Sequence, residues 1–187
     1  MEQRRRRSGA RDRILDAAAD LVGEIGAGRV TLDAVAERAG LSKGGLLYHF
    51  PNKDALLQGM IERMVDEAVA EKDQLRGGMD VVRNREAYLS VAATLDRACD
   101  DECQIANGLL AALAENPRLL DPVRRVVSRE WEALKTNSDD PEAALVAWLA
   151  AQGLSALAMH EISPLDDADR ERVAAALFRL LEKGIAS

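Results

Sequence analysis

Residues 31–57 read TLDAVAERAGLSKGGLLYHFPNKDALL, and the stops and caps within them decide the fold. Thr31 stands where a helix N-cap belongs. Behind it Leu32, Val35, Ala36 and Ala39 recur at three- and four-residue steps, with Asp33, Glu37 and Arg38 on the other side. This spacing predicts a helix of barely two turns that Gly40 stops. Ser42 can cap a second short helix over 43–49, and Pro51 with Asn52 closes it and caps another. Two short helices around a tight glycine turn have the proportions of a helix-turn-helix. In that motif the second helix lies in the major groove of DNA while the first crosses the phosphate backbone.

The residue types over 31–53 suit that task. Thr31 and Ser42 offer hydroxyls and helix N-termini to phosphates, Lys43 and Lys53 add charge, and Tyr48 and His49 can donate to backbone oxygens. Gly44 and Gly45 each cost roughly 1 kcal/mol against alanine in a helix interior. On a helix pressed into a groove, their missing side chains give clearance. Leu47 can meet a thymine methyl group, and Phe50 is the ring that anchors the short helix to its neighbours.

Working outward, Ile14, Ala18, Leu21, Val22 and Ile25 place a helix over 10–25, ended by Gly26 and Gly28. After Asn52 the stripe Leu56, Leu57, Met60, Ile61, Met64, Val65, Ala68 and Val69 sustains one long helix to Gly77 and Gly78. Further helices are predicted over 85–100, 103–115, 122–135, 141–160 and 168–183, separated by Asn116-Pro117, Ser138 to Pro141, and Ser163-Pro164. No alternating strand pattern interrupts them. The predicted fold is all-α with about nine helices: a three-helix DNA-binding domain joined by a long helix to a C-terminal ligand-binding and dimerisation bundle. The expected domains are a basic arm over 1–9, a helix-turn-helix domain over 10–57 with its motif at 31–50, and an effector-binding and dimerisation domain over 58–187.

Over Arg11 to Leu21, which carries the run RxxILDAAxxL, and over Thr31 to Leu57, the chain resembles the TetR family of bacterial transcriptional regulators. The Tyr48-His49-Phe50 and Asn52-Lys53 elements stand at the family's positions, and the motif part covers about 11–61. The resemblance implies a dimeric, ligand-sensing helical remainder, and it identifies no ligand. The family often carries Thr or Ser where Gly45 stands and Tyr where Leu47 stands. Lys43, Leu47 and close backbone approach are therefore the expected readers of this helix.

Composition sets the bounds. The 187 residues, 48% apolar and 30% charged, can bury a sizeable core. No apolar run is expected to span a membrane, and the arginine-rich start leads into no signal-peptide segment, so a cytoplasmic chain is expected. Cys99 and Cys103 give no disulfide framework; they are either packing residues or a thiol pair, and two ligands do not complete a tetrahedral metal site. Residues 1–50 hold 9 Lys+Arg against 7 Asp+Glu, while the rest holds 16 against 25, so a net of +2 faces −9 within a total of −7. Either a nucleic-acid-facing end on an acidic body or a basic tail on an acidic protein would give this asymmetry. Arg4 to Arg7 are open to the same two readings, a backbone-tracking arm or a solvated tail. The sequence contains no nucleophile signature, phosphate loop or metal cluster, so no enzyme, cofactor or metal is expected.

Met60, Met64, Tyr88, Leu110, Leu113, Trp131, Trp148 and Met159 are core residues or, for some, the lining of an effector pocket. Ala147, Ala151, Gly153 and Ser155, with Leu177 and Leu181, could form a two-fold four-helix interface. The function expected from these features is a homodimeric repressor of a palindromic double-stranded DNA operator, released by an unidentified small-molecule effector. The alternative is an architectural DNA-binding protein without an effector.

Overall fold

The computed structural model describes residues 9–78, 84–97, 102–160 and 162–185, with the side chains of 78, 97, 102–104, 106, 110 and 111 outside that description. Nine α-helices and no strand occur among the described residues: α1 (Ala10–Ile25), α2 (Leu32–Ala39), α3 (Lys43–His49), α4 (Lys53–Gly78), α5 (Arg85–Arg97), α6 (Glu102–Glu115), α7 (Asp121–Asn137), α8 (Pro141–Met159) and α9 (Asp167–Lys183). The all-α expectation holds. Two 3-10 turns, Ala27–Arg29 and Pro117–Leu120, were not expected. Arg4 to Arg7, the residues 98–101 that include Cys99, and the Cys103 and Leu110 side chains lie outside the described residues.

Residues 9–64 and 104–123 make one compact unit; 65–97, 102–103 and 124–185 make the other. The division expected from chemistry, at 57/58, is therefore not the division made by compactness. The difference is α6, which joins the first unit because its Gly108 backs onto α1. A Cβ built at Gly108 would stand 2.5 Å from the carbonyl oxygen of Val22, so α6 can approach α1 only through a glycine. Leu109 and Ala112 complete that contact in a core shared with Ile14, Leu15, Ala18 and Val22 of α1, Val35 of α2, Leu46 of α3 and Leu56, Leu57, Met60 and Ile61 of α4.

In the second unit α5 packs on α8 and α9. Its core joins Ala87 and Val91 to Leu134, Ala144, Ala147, Trp148, Ala151, Leu177 and Leu181. The start of α5 is fixed by Asn84, fully buried and left-handed at φ 53. Its Nδ2 donates to the carbonyl of Leu181 at 2.8 Å, its Oδ1 accepts from the amide of Asp140 at 2.9 Å, and its own amide donates to Asp139 Oδ2 at 2.9 Å. One side chain thus ties the head of α5 to the α7–α8 turn and the tail of α9. Nothing in the local pattern around Asn84 announces these partners.

The expectation of no apolar run long enough to span a membrane needs correction. Helix α8, 19 residues long, meets that test by length and composition, with 28% of its window buried. Its alanines make the helix apolar without bulk, and Ala143, Ala144, Ala147, Trp148 and Ala151 are buried.

Candidate nucleic-acid interface

The helix-turn-helix is built from three side-chain caps and one left-handed glycine. Thr31 Oγ1 accepts from the amide of Ala34 at 3.2 Å, Ser42 Oγ from that of Gly45 at 3.1 Å, and Asn52 Oδ1 from that of Ala55 at 2.8 Å. Each satisfies an amide that the first turn of its helix leaves open. Between α2 and α3, Gly40 turns at φ 65, and the amides of Gly40 and Leu41 return to the carbonyls of Glu37 and Ala36. Glycine, having no Cβ, takes that conformation most readily.

On α3 the inward side is Leu46, fully buried, with Phe50 just past the helix end. The Phe50 ring lies against Gly59 of α4, where an added Cβ would come within 2.6 Å of it, and the Arg11 guanidinium sits 5.4 Å from the ring centroid. This sets the helix's rotation. Lys43, Gly44 and Tyr48 are then exposed, Tyr48 at 86% and edge-on to the half-buried His49 ring; Leu47 is half-buried.

The two glycines of α3 differ. A Cβ at Gly44 would meet nothing within 4 Å, whereas one at Gly45 would stand 3.3 Å from the capping Ser42 Oγ. Gly45 therefore leaves room for the Ser42 cap, while the fold makes no steric demand at Gly44. Among the cations, Lys43 Nζ pairs with Asp33 at 2.9 Å, both side chains well exposed, and Lys53 Nζ donates to the carbonyl of Gly28 at 2.9 Å. An exposed pair of this kind is worth about 0–1 kcal/mol, so Lys43 is free to exchange Asp33 for another anion. Arg38 is held across α1 and α2 by Glu24, both oxygens at 3.0 Å. That hydrogen bonding holds the Glu24 carboxyl below its ordinary range. Lys43 thus ties the start of α3 to that of α2, and Lys53 ties the start of α4 to the Gly28 turn. Exposed Arg29 follows Gly28 in the chain, its Nε donating to the Ile25 carbonyl at 2.8 Å, a cation the sequence pattern did not single out; the signal was a basic residue just before the Thr31 cap.

In the second unit, Trp131 and Trp148 stand with ring centroids 5.9 Å apart and planes at 59°. With Val127, Ser128 and Glu132 they line a cavity of about 360 Å³. Behind Trp148 lies a polar cluster: Lys72 Nζ donates to Glu130 Oε1 at 2.9 Å and to Ser90 Oγ at 2.6 Å. The Ser90 hydroxyl reaches Glu130 Oε1 at 2.6 Å and the Glu86 carbonyl at 2.9 Å, so its single proton serves one at a time. Burial pushes the Glu130 carboxyl up, but the Lys72 charge and the hydrogen bonds from Ser90 and Lys72 outweigh it, and the group lies below the ordinary carboxylate range. Trp148 Nε1 is buried outside hydrogen-bond geometry with any described partner, yet its dipole adds a smaller pull in the same direction. A second cavity of about 370 Å³ is lined by Leu95, Leu154, Ala158, Asp167, Arg170, Glu171 and Ala174.

Residues 14–60 match the description "Bacterial regulatory proteins, tetR family", and residues 84–182 match "Tetracyclin repressor-like, C-terminal domain". The chain belongs to the TetR family. Among its curated relatives is the HTH-type transcriptional regulator RutR of Escherichia coli K12, 26% identical over 142 residues, 76% of this chain. The chain spans 63% of RutR's length. The class A tetracycline repressor from transposon 1721 of Escherichia coli is 41% identical over 54 residues, 29% of this chain and 25% of that protein. A solved transcriptional regulator from Streptomyces coelicolor shares the fold at a TM-score of 0.68, with 24% identity, 92% of this chain and 98% of that one covered.

In this TetR-family chain the expected pocket residues divide between the units. Met60 is buried in the first unit's core, and Met64 and Leu113 pack against that core. Tyr88 lies in the second unit with its ring 4.4 Å from that of Phe178, and Met159 is half-buried at the end of α8. Of the seven whose side chains are described, Trp131 and Trp148 line one of the cavities above. The expected dimer residues need a larger correction. Ala147, Ala151, Leu177 and Leu181 are consumed by the second unit's own core, because α5 and α9 take that face of α8. Gly153 is exposed and Ser155 half-buried. The outward apolar residues of α8 are instead Val146, 48% exposed, and Leu149, 52% exposed.

Proposed function

We propose that this TetR-family protein is a DNA-binding transcriptional regulator. It works as a homodimeric repressor that a small molecule releases from a palindromic operator. The observation that supports this reading best is α3 itself: capped, anchored by Leu46 and Phe50, and leaving Lys43, Gly44 and Tyr48 uncovered. In the proposed complex the Thr31 and Ser42 hydroxyls keep accepting from their capping amides while their own protons go to phosphate oxygens. Lys43 exchanges Asp33 for a phosphate or a base edge, and Tyr48, His49 and Lys53 contact the backbone. Gly44 and Gly45 bring the helix close to the groove floor, where Leu47 meets a thymine methyl. Residues 10–57 carry this role, 1–9 form a basic arm, and 58–187 sense the effector and dimerise.

A second copy covers the outward face of α8 around Val146, Leu149 and Gly153, which supplies the two half-sites, roughly 34–36 Å apart, that a dimeric helix-turn-helix reads. The effector binds the DNA-incompetent state more tightly and shifts the population toward it. Such a protein acts where the chromosome is, in the cytoplasm. Fluorescence anisotropy with the DNA upstream of its own gene and with scrambled DNA, over a salt series, tests the proposal. Preference for the upstream DNA that persists at high salt is expected. Equal, purely salt-driven affinity for both would reject specific regulation.

A further inference from the structure

The cavity between α7 and α8 has a composition that selects its occupant. We propose that it binds a small organic ammonium cation, held against the faces of Trp131 and Trp148 with the Glu132 carboxylate as counter-charge. This deepens the effector reading above and depends on it for the consequence of binding, not for binding itself.

The chain has two tryptophans in 187 residues, and both wall this one cavity. Trp148 is 5% exposed and set in the second unit's core, so its ring is held by packing. The rings lie tilted on each other, with centroids 5.9 Å apart and planes at 59°. That spacing leaves no room for a flat ring between them, so the occupant is a compact group seated against the indole surface that lines the cavity. Indole faces attract cations more strongly than those of any other side chain, and the attraction grows as the cation sheds water.

The rest of the lining agrees in sign. Val127 contributes methyl groups and Ser128 a hydroxyl, and among the described lining residues Glu132 is the one that carries a charge, with no lysine or arginine beside it. Lys135 reaches Glu132 at 3.2 Å from one turn on, with both side chains about half-exposed or more. Such a surface pair is worth little, and an incoming cation displaces it. The Glu130 carboxylate behind Trp148 is closed on Lys72 and adds no net charge. An anion would face two π clouds and a carboxylate. A neutral aromatic would use the walls and leave Glu132 without a part.

Because both tryptophans line the cavity, the intrinsic fluorescence of the full chain reports on it directly. The probes are benzyltrimethylammonium, benzyl alcohol and benzoate at matched ionic strength. Benzyltrimethylammonium should give a saturable change at least about ten-fold tighter than benzyl alcohol, and benzoate none. Glu132→Gln should weaken the cation several-fold and leave benzyl alcohol unchanged. Trp131→Leu should abolish cation binding, with Trp148 as reporter, and Trp131→Phe, which preserves the packing, should fall between. Equal affinity for cation and alcohol, no saturable response, or full cation affinity in both Trp131 variants would overturn the proposal. The readout needs no DNA. A chain that binds the cation but no operator retires the regulator reading alone, and one that binds its operator without any cation response retires this one alone.

Discussion

Gly44 is the residue at which the fold and the proposed function make separable demands. It lies in the first turn of α3 with open space where a side chain would go, and its φ is not in the left-handed region. Alanine there relieves the helix of a flexible residue and should raise stability by up to about 1 kcal/mol. If the open space is where the DNA backbone or a base edge comes closest, the same methyl should weaken operator binding by about ten-fold, roughly 1.4 kcal/mol. Thermal denaturation and operator titration of Gly44→Ala measure both quantities. A variant that is more stable and binds operator normally would remove Gly44 from the interface. Gly59 and Gly108 are the contrast: each meets a neighbour within 2.6 Å of an added Cβ, so glycine there serves packing.

At the scale of elements, what could be read from sequence was what is local. Every helix lies where its period and caps placed it, to within about three residues where described, because an N-cap, a stop glycine and an apolar stripe act within a turn or two. The positions of Thr31, Ser42, Asn52 and Gly40 were legible for the same reason. The partners of α6 were not, since its contact with α1 turns on Gly108 meeting Val22 some 86 positions back. Nor was the rotation of α8. In a helix this rich in alanine nearly every face is apolar, and burial of Ala147 and Ala151 rather than Val146 and Leu149 is decided by α5 and α9. Asn84 is the sharpest case of a long-range partner. Asn84→Ala should cost about 2–3 kcal/mol, from left-handed strain and from the two side-chain hydrogen bonds lost, the one to the Leu181 carbonyl being buried. Asn84→Gly removes the strain but not the lost bonds, so it should recover about 1 kcal/mol of that in urea denaturation. Equal losses would show that the backbone conformation at 84 is not strained for alanine.

For the molecule as a whole, charge and association govern what it can bind. A net charge of −7, with −9 carried by residues 51–187 against +2 on residues 1–50, favours approach of DNA by the N-terminal end over general adhesion. If a second copy covers the outward face of α8, then Leu149→Lys should leave the fold intact, because that side chain is half-exposed already. Sedimentation should then show a monomer, and operator affinity should fall by orders of magnitude as the second half-site is lost. A dimeric, operator-binding Leu149→Lys protein would place the interface elsewhere.

The second unit also predicts how the molecule responds to acid. Glu130 is mostly buried and its carboxyl lies below the ordinary range, held by Lys72 and Ser90. A carboxyl lowered on folding contributes stability that is complete above its unfolded pKa, about 4.3, and is lost as pH falls through the lower folded value. Glu130→Gln keeps the shape and loses the charge, so at pH 7 it should cost roughly 1.5–3 kcal/mol, the range for hydrogen bonds to charged groups. As pH falls below about 4 the wild-type protein should lose that advantage and converge on the variant. Glu24 is also lowered but sits in an exposed surface pair, so Glu24→Gln should leave the acid limb close to wild type. Urea denaturation of the three proteins from pH 7 to pH 3 separates these cases. Parallel curves for wild type and Glu130→Gln would mean that the Lys72–Glu130 pair does not carry the acid sensitivity of the second unit.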